Sequence, residues 1–285
     1  MTPDLIDTLG TRIDEAFLLI GAAILLIELA EALFKRAHLG RTLGEMLVSA
    51  STQIPYLLVE IFVLTGGYIL FYIIAEIVPW QVPNAWWTLV LIVVICDFAY
   101  YWEHRIAHEV RLLWTQHAVH HSSRDYNIIT GIRFGPFEGL WSLIIHLPLA
   151  FMGFAPEVIF FGIITVLAYQ TWIHTEKVGR LGVLDRVLNT PSNHRVHHGC
   201  DDKYLDRNYG GITVIWDRLF GTFQAEEETP RYGLKRDFDS RNPLLVWVSE
   251  WPELIRDLRG ARSWGEAWRY LTRAPGWRPS ADGRE

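Results

Sequence analysis

"WWTLVLIVVICDFAYYWEHRIAHE", residues 86–109, changes character part-way along. From Trp86 to Trp102 it is apolar apart from Asp97, an acid deep in the run, and Glu103 follows directly. That suits a membrane span, since crossing the hydrocarbon takes about 20 mostly apolar residues. His104 and His108 then follow. Positions three and four apart share a face of an α-helix. Asp97, Tyr101, His104 and His108 therefore line up on one stripe. A helix that leaves the bilayer carrying paired imidazoles sets the reading of the whole chain. It predicts an all-α integral-membrane bundle, capped by a cytosolic, histidine-rich helical metal-binding region.

The rest of the sequence fits this reading. Of 285 residues 50% are hydrophobic, and the long apolar runs fall before residue 175. Ala16–Phe34 reads as a span despite Glu28 and Glu31, and so does Ile54–Val78 with Glu60 and Glu76 near its ends. Phe137–Met152 and Glu157–Trp172 are shorter, either two spans or a hairpin dipping into one leaflet, which gives about four to five spans or span-like helices. The start of the chain lacks the basic region of a cleavable signal peptide. Lys35, Arg36 and Arg41 follow the first span, and Arg105, Arg111, Arg124 and Arg133 follow the third. Lys177, Arg180 and Arg186 follow the last, whereas loops 79–85 and 153–156 hold no Lys or Arg. The positive-inside rule then puts the N-terminus outside and the histidines on the cytoplasmic side. Three regions result: N-terminal membrane helices over 1–85, a catalytic domain over 86–223 and a cytosolic or interfacial tail over 224–285.

The tail carries Trp247, Trp251, Trp264, Trp268 and Trp277. Ser263 and Glu266 read as a capping box opening a short helix. Trp beside Arg suits a helix lying on the membrane surface, and a mobile tail is the other reading. The net charge of −6 comes without a strong basic patch, which argues against nucleic acid. Cys96 and Cys200 are the only cysteines and form no CxxC, which argues against a disulfide scaffold, a zinc ribbon or a cysteine-ligated cluster.

Eight of the 11 histidines occupy two windows, as HxxxH (His104, His108), HxxHH (His117, His120, His121) and HxxHH (His194, His197, His198). Thr190 and Pro191 can open a short helix over the last box, and Gly199 can close it. Clustered neutral imidazoles leave buried nitrogens unpaired, and as cations they repel. A multi-histidine metal site resolves both problems. A four-coordinate zinc needs only four ligands, so eight or more imply two metals, drawn from zinc, copper, iron and nickel. An HExxH protease motif is not formed, because His108-Glu109 runs on into Val110, Arg111 and Leu112. Asp97 either orients a ligating imidazole or snorkels to the interface. Glu109 either supports a ligand in the same way or is a solvated charge. Asn127, Asp206 and Asn208 flank the boxes as ligand supports or as turn residues. Tyr101 and Trp172 line a lipid tunnel or anchor the interface.

"DFAYYWEHRIAHE", "HAVHHSSRDYN", "YQTWIHTE" and "NTPSNHRVHHGCDDKYLDRNYGGITVIWDRLFGTF" resemble the fatty acid hydroxylase/sterol desaturase superfamily over about residues 90–225. The resemblance implies an integral-membrane di-iron oxygenase. It assigns the three boxes as metal ligands and adds His174 of "WIHT" as a further one. Some members carry a second histidine where this chain has Gln170, and the family often has one where this chain has Asn193. His38 and His146 match no box and read as structural. The wording is most similar to an ether-lipid-hydroxylating branch that uses tetrahydrobiopterin. The implied reaction hydroxylates a C–H bond of an alkylglycerol-ether, fatty-acyl or sterol lipid with O2. Two irons, replaceable by zinc on purification, would supply the chemistry. The chain shows no flavin or nicotinamide fingerprint, since "LTGGY" at 64–68 is no GxGxxG, so the reductant is expected from outside as a pterin or a small redox protein. A desaturase or sterol-modifying oxygenase on the same site is the near alternative. A metal-ion transporter using Glu28, Glu31, Glu60 and Asp97 is the distant one, as is a non-catalytic relative with a structural zinc.

Overall fold

The computed structural model describes residues 1–35 and 39–279, so His38 lies outside the described residues. Helices account for the architecture. α1 (Pro3–Lys35), α2 (Leu39–Ile77) and α3 (Trp86–Glu109) are long and apolar enough to cross a membrane. α5 (Glu138–Phe151) and α6 (Pro156–Tyr169) are shorter and span-like. α4 (Arg111–His121), α7 (Pro191–His197), α8 (Ile215–Phe220), α9 (Pro243–Trp247), α10 (Trp251–Gly260) and α11 (Trp264–Thr272) build the cap. Among the described residues the only β pairing is two isolated bridges, Leu188 with Thr213 and Gly199 with Tyr232.

The long helices wear their apolar side chains outward. Only 17% of the most apolar window of α1 and of α2 is buried, and Leu19 and Phe62 are among the exposed residues. This suits a lipid solvent, which sets no premium on burying apolar surface. Interhelical packing instead relies on close approach. A Cβ on Gly162 of α6 would sit 2.6 Å from Cys96 Sγ of α3, so these two helices need glycine at their contact. The α5–α6 hairpin reaches the opposite end of the spans, where Val82 N donates to Gly153 O at 2.8 Å.

The acids inside α1 are braces. The Glu28 carboxylate accepts from Ile128 N at 2.9 Å and from Thr175 Oγ1 at 2.6 Å. Glu31 pairs with Lys35 and Lys177. Both tie α1 to the histidine-bearing layer, so neither marks an ion path. α3 breaks at Val110, and α4 begins there, held by Arg111 N donating to Arg273 O at 3.0 Å. Ser263 caps α11 through Glu266 N at 3.1 Å. The tail packs back on the cap: Arg111 pairs with Asp257 at 2.6 Å, and α11 contacts α4. Trp264 and Trp268 remain exposed.

Candidate metal centre

α3 carries His104 and His108 as it leaves the apolar layer. α4 carries His117, His120 and His121, and α7 carries His194, His197 and His198. His174 follows the short 3-10 turn Gln170–Trp172. Pro191 opens α7 at its first turn, while the Thr190 hydroxyl turns back to Asp185 at 2.5 Å rather than capping the helix. Gly199 lies just past the end of α7 and pairs with Tyr232.

These nine imidazoles, all buried, fall into two groups. His104, His108, His117, His121 and His197 form one; His120, His174, His194 and His198 form the other. Each HxxHH box is divided between them. A residue and the one four further on point to the same group, and the residue between, three along, points to the other. In the first group Nε2 atoms are separated by 3.0 Å (His104–His117), 3.2 Å (His117–His121) and 3.1 Å (His121–His197). In the second the separations are 3.2 Å (His120–His174), 2.8 Å (His174–His194) and 3.2 Å (His194–His198). Nitrogens sharing an ion at about 2.0–2.1 Å stand roughly 3 Å apart, so the geometry suits one metal per group.

The opposite edges of the rings are held. Nδ1 faces the carbonyl of Tyr209 from His104 (3.0 Å), of Arg133 from His120 (3.2 Å), of Gln170 from His174 (3.1 Å) and of Arg207 from His197 (2.9 Å). His117 Nδ1 faces Glu138 and His108 Nδ1 faces Asp206. An Nδ1–H donated to a carbonyl leaves Nε2 as a lone-pair donor, the usual support for a metal histidine. His108 Nε2 is buried with no hydrogen-bond partner among the described residues, as a ligand nitrogen would be. Burial, then neighbouring imidazoles, holds His120, His121, His194, His197 and His198 well below the ordinary imidazole range. Burial lowers His174 to about 4. These rings are neutral at pH 7 and free to bind a cation.

The two carboxylates singled out as supports sit elsewhere. Asp97 accepts from Ile212 N, Thr213 Oγ1 and Trp216 Nε1 at 2.5, 2.9 and 2.9 Å, which fixes the segment after Tyr209. Glu109 pairs with Arg105 one turn earlier on the same helix, at 2.8 Å. Its ion-pair partner is thus Arg105, and Glu138 and Asp206 take the imidazole-facing positions. Asn127 caps the turn Ile128–Ile132. Asn208, at φ 56°, staples Asn193 O and Gln224 O. Asn193 itself bonds the carbonyls of Asp185 and Leu188 and belongs to neither group. His146 is buried against Ser142 O, apart from both groups.

A cavity of about 1280 Å³ opens beneath the histidines. His104 and His117 of one group and His120 and His174 of the other line it, together with apolar residues of α1, α2, α5 and α6. Asp7 and Leu25 of α1 both line it, so it follows that helix for about 27 Å at 1.5 Å per residue. Tyr100 lines it; Tyr101 points the other way, to Thr222. Trp172 is not among the lining residues.

The fatty acid hydroxylase family model matches residues 89–222, which hold all nine of these histidines. The chain carries a fatty acid hydroxylase domain. Around it, 201 residues are 40% identical to an alkylglycerol monooxygenase of Xenopus tropicalis, covering 70% of this chain and 44% of that protein. The alkylglycerol monooxygenase of Homo sapiens gives the same identity and coverage. An ornithine lipid hydroxylase of Rhizobium tropici is 38% identical over 146 residues, 50% of this chain and 44% of its own length. The chain thus spans less than half the length of these relatives. No solved structure matches it. The matched segment holds the histidines of both groups that line the cavity.

Proposed function

We propose that this is a membrane-bound lipid hydroxylase. It would use O2 and external electrons to hydroxylate a C–H bond of an alkylglycerol-ether, fatty-acyl or sterol-type lipid. The observation that carries this reading is the cavity: one largely apolar space, about 27 Å along α1, is lined by imidazoles of both groups. Similarity to an alkylglycerol monooxygenase and an ornithine lipid hydroxylase favours a lipid substrate over other apolar molecules.

In this reading His104, His108, His117, His121 and His197 hold one iron, and His120, His174, His194 and His198 hold the second. Two irons, when bound, would supply the activation of O2 that oxidises the C–H bond, with the external electrons reducing the second oxygen atom to water. The protein does the rest. The apolar wall formed by α1, α2, α5 and α6 takes up the hydrocarbon chain and excludes water from the reacting carbon. The carbonyls of Tyr209, Arg133, Gln170 and Arg207 keep the Nδ1 protons in place, so that Nε2 stays available. With four histidines to the other group's five, the second group would have fewer protein ligands for its iron, and Gln170 lines the cavity near it. The active site faces the cytoplasm, from which a pterin or a small redox protein delivers electrons.

The test is elemental analysis of the detergent-purified protein beside a variant carrying His120→Ala and His197→Ala, one change in each group. About two iron (or surrogate zinc) per chain, lost in the variant, is the expected result. Incubation with lipid extracts, O2 and a reduced pterin or redox protein should then yield a hydroxylated lipid. Wild-type protein that holds no metal after iron-replete expression would overturn the oxygenase reading.

A further inference from the structure

The cap does not present a polar surface on every side. Beside α3 it exposes Val183 (73%), Leu184, Val187, Ile215 and Leu219 (66%) together. These residues belong to two segments that are bound to each other: Val214 N donates to Val187 O at 2.9 Å, and Arg218 Nε to Arg186 O at 2.8 Å. A contiguous apolar patch of this kind marks an interaction surface.

The patch continues the lipid-facing side of a span. On α3, Trp87, Leu91, Val94 and Phe98 are exposed at steps of four, three and four residues, a single outward stripe. At its end Phe98 packs on Trp216 with ring centroids 5.0 Å apart, and Trp102 packs on Phe220 at 5.1 Å. The stripe therefore passes from the helix directly onto α8 and then onto the 183–187 turn. Exposed Arg186 and Arg218 stand within the same two segments. Arg218 lies over the Phe223 ring at 3.6 Å, an amphipathic arrangement suited to the boundary between acyl chains and head groups.

We infer that residues 183–187 and 215–220 form a ledge sunk into the membrane interface, with lipid as its occupant, the apolar side chains among acyl chains and Arg186 and Arg218 among anionic head groups. The metal-bearing cap then rests in the leaflet on this side instead of standing clear of it.

The full chain, reconstituted in phosphatidylcholine/phosphatidylglycerol nanodiscs, tests this. Nitroxide labels go singly on Val183→Cys and Leu219→Cys, in a background with Cys200→Ser; Cys96 is buried. Val94→Cys serves as the bilayer reference and Asp202→Cys, exposed on the cap, as the water reference. Unchanged metal content checks that each labelled protein is folded. Labels at 183 and 219 should collide more with O2 than with a nickel chelate, in a ratio nearer that of 94 than of 202. A ratio equal to that of 202 overturns the ledge. Protection from both reagents overturns it too, by showing that protein covers this face, whether a second copy or a redox partner.

Discussion

His117 Nδ1 lies 2.5 Å from a carboxylate oxygen of Glu138, at the start of α5. The same carboxylate accepts from Gly135 N at 3.3 Å, so it is fixed before it meets the imidazole. A carboxylate behind a ligating histidine strengthens it as a donor, and losing such support costs about 10–100-fold in metal affinity. Glu138→Gln should therefore weaken the five-histidine group by that order and leave the four-histidine group as it is. Chelator titration of the loaded protein would resolve this as one labile and one retained metal. Equal loss from both groups would contradict it.

The split of each HxxHH box makes a second prediction. His121→Ala should remove one metal per chain while its neighbour His120→Ala removes the other. Either single variant retains about half the wild-type content, and the pair retains almost none. Elemental analysis reads the stoichiometry. A variant in which either change alone empties both groups would show that the groups do not fill independently.

Much of this was legible in the sequence, for physical reasons. The apolar runs are long, and the 3.6-residue period put His104 beside His108 and gathered the other boxes. The division of histidines between groups was not legible. His120 and His121 are adjacent in sequence, and only the fold shows that His120 meets His174 while His121 meets His197. Glu138 was missed because no local signal marks it; its role depends on where α5 begins relative to α4. Asp97 shares a stripe with His104 along one helix, but its hydrogen bonds reach across to residues 212–216, partners that no local pattern marks. The stripe pointed to Tyr101, as tunnel lining or interface anchor, but Tyr101 bonds Thr222 and it is Tyr100 that lines the cavity beside His104.

A third prediction concerns Arg133, whose side chain is fully buried. Its guanidinium bonds Glu45 at 3.1 Å, Val119 O at 3.1 Å and Ser122 Oγ at 3.0 Å, while its carbonyl receives His120 Nδ1. Glu45 thus reaches the second group through Arg133. Removing one partner of a buried pair leaves an uncompensated charge and costs about 3–5 kcal/mol. Glu45→Ala should lower the thermal midpoint in detergent clearly, and Glu45→Gln, which keeps a hydrogen-bond acceptor, by less. Indistinguishable midpoints for the wild type and Glu45→Ala would refute the brace.

The last prediction rests on Asp217, which holds the Tyr209 segment from beneath. Its carboxylate accepts from Tyr209 N at 2.7 Å, Gly210 N at 2.9 Å and Thr222 Oγ1 at 2.7 Å. Burial raises its pKa to about 6, and these bonds offset the rise only in part. In the unfolded chain it titrates near 4. Between about pH 4 and 6 the folded state therefore binds more protons at this site than the unfolded one. Its contribution to stability is greatest on the acid side and declines as pH rises to about 6, by up to about 3 kcal/mol at 1.36 kcal/mol per pKa unit. Other groups titrate in the same window, so the readout is the difference between wild type and Asp217→Asn. That difference should change steadily from pH 4.5 to 6 and stay constant above 7, because the amide does not titrate. A difference that is constant throughout would mean that the carboxylate is ionised in the folded protein across the whole range.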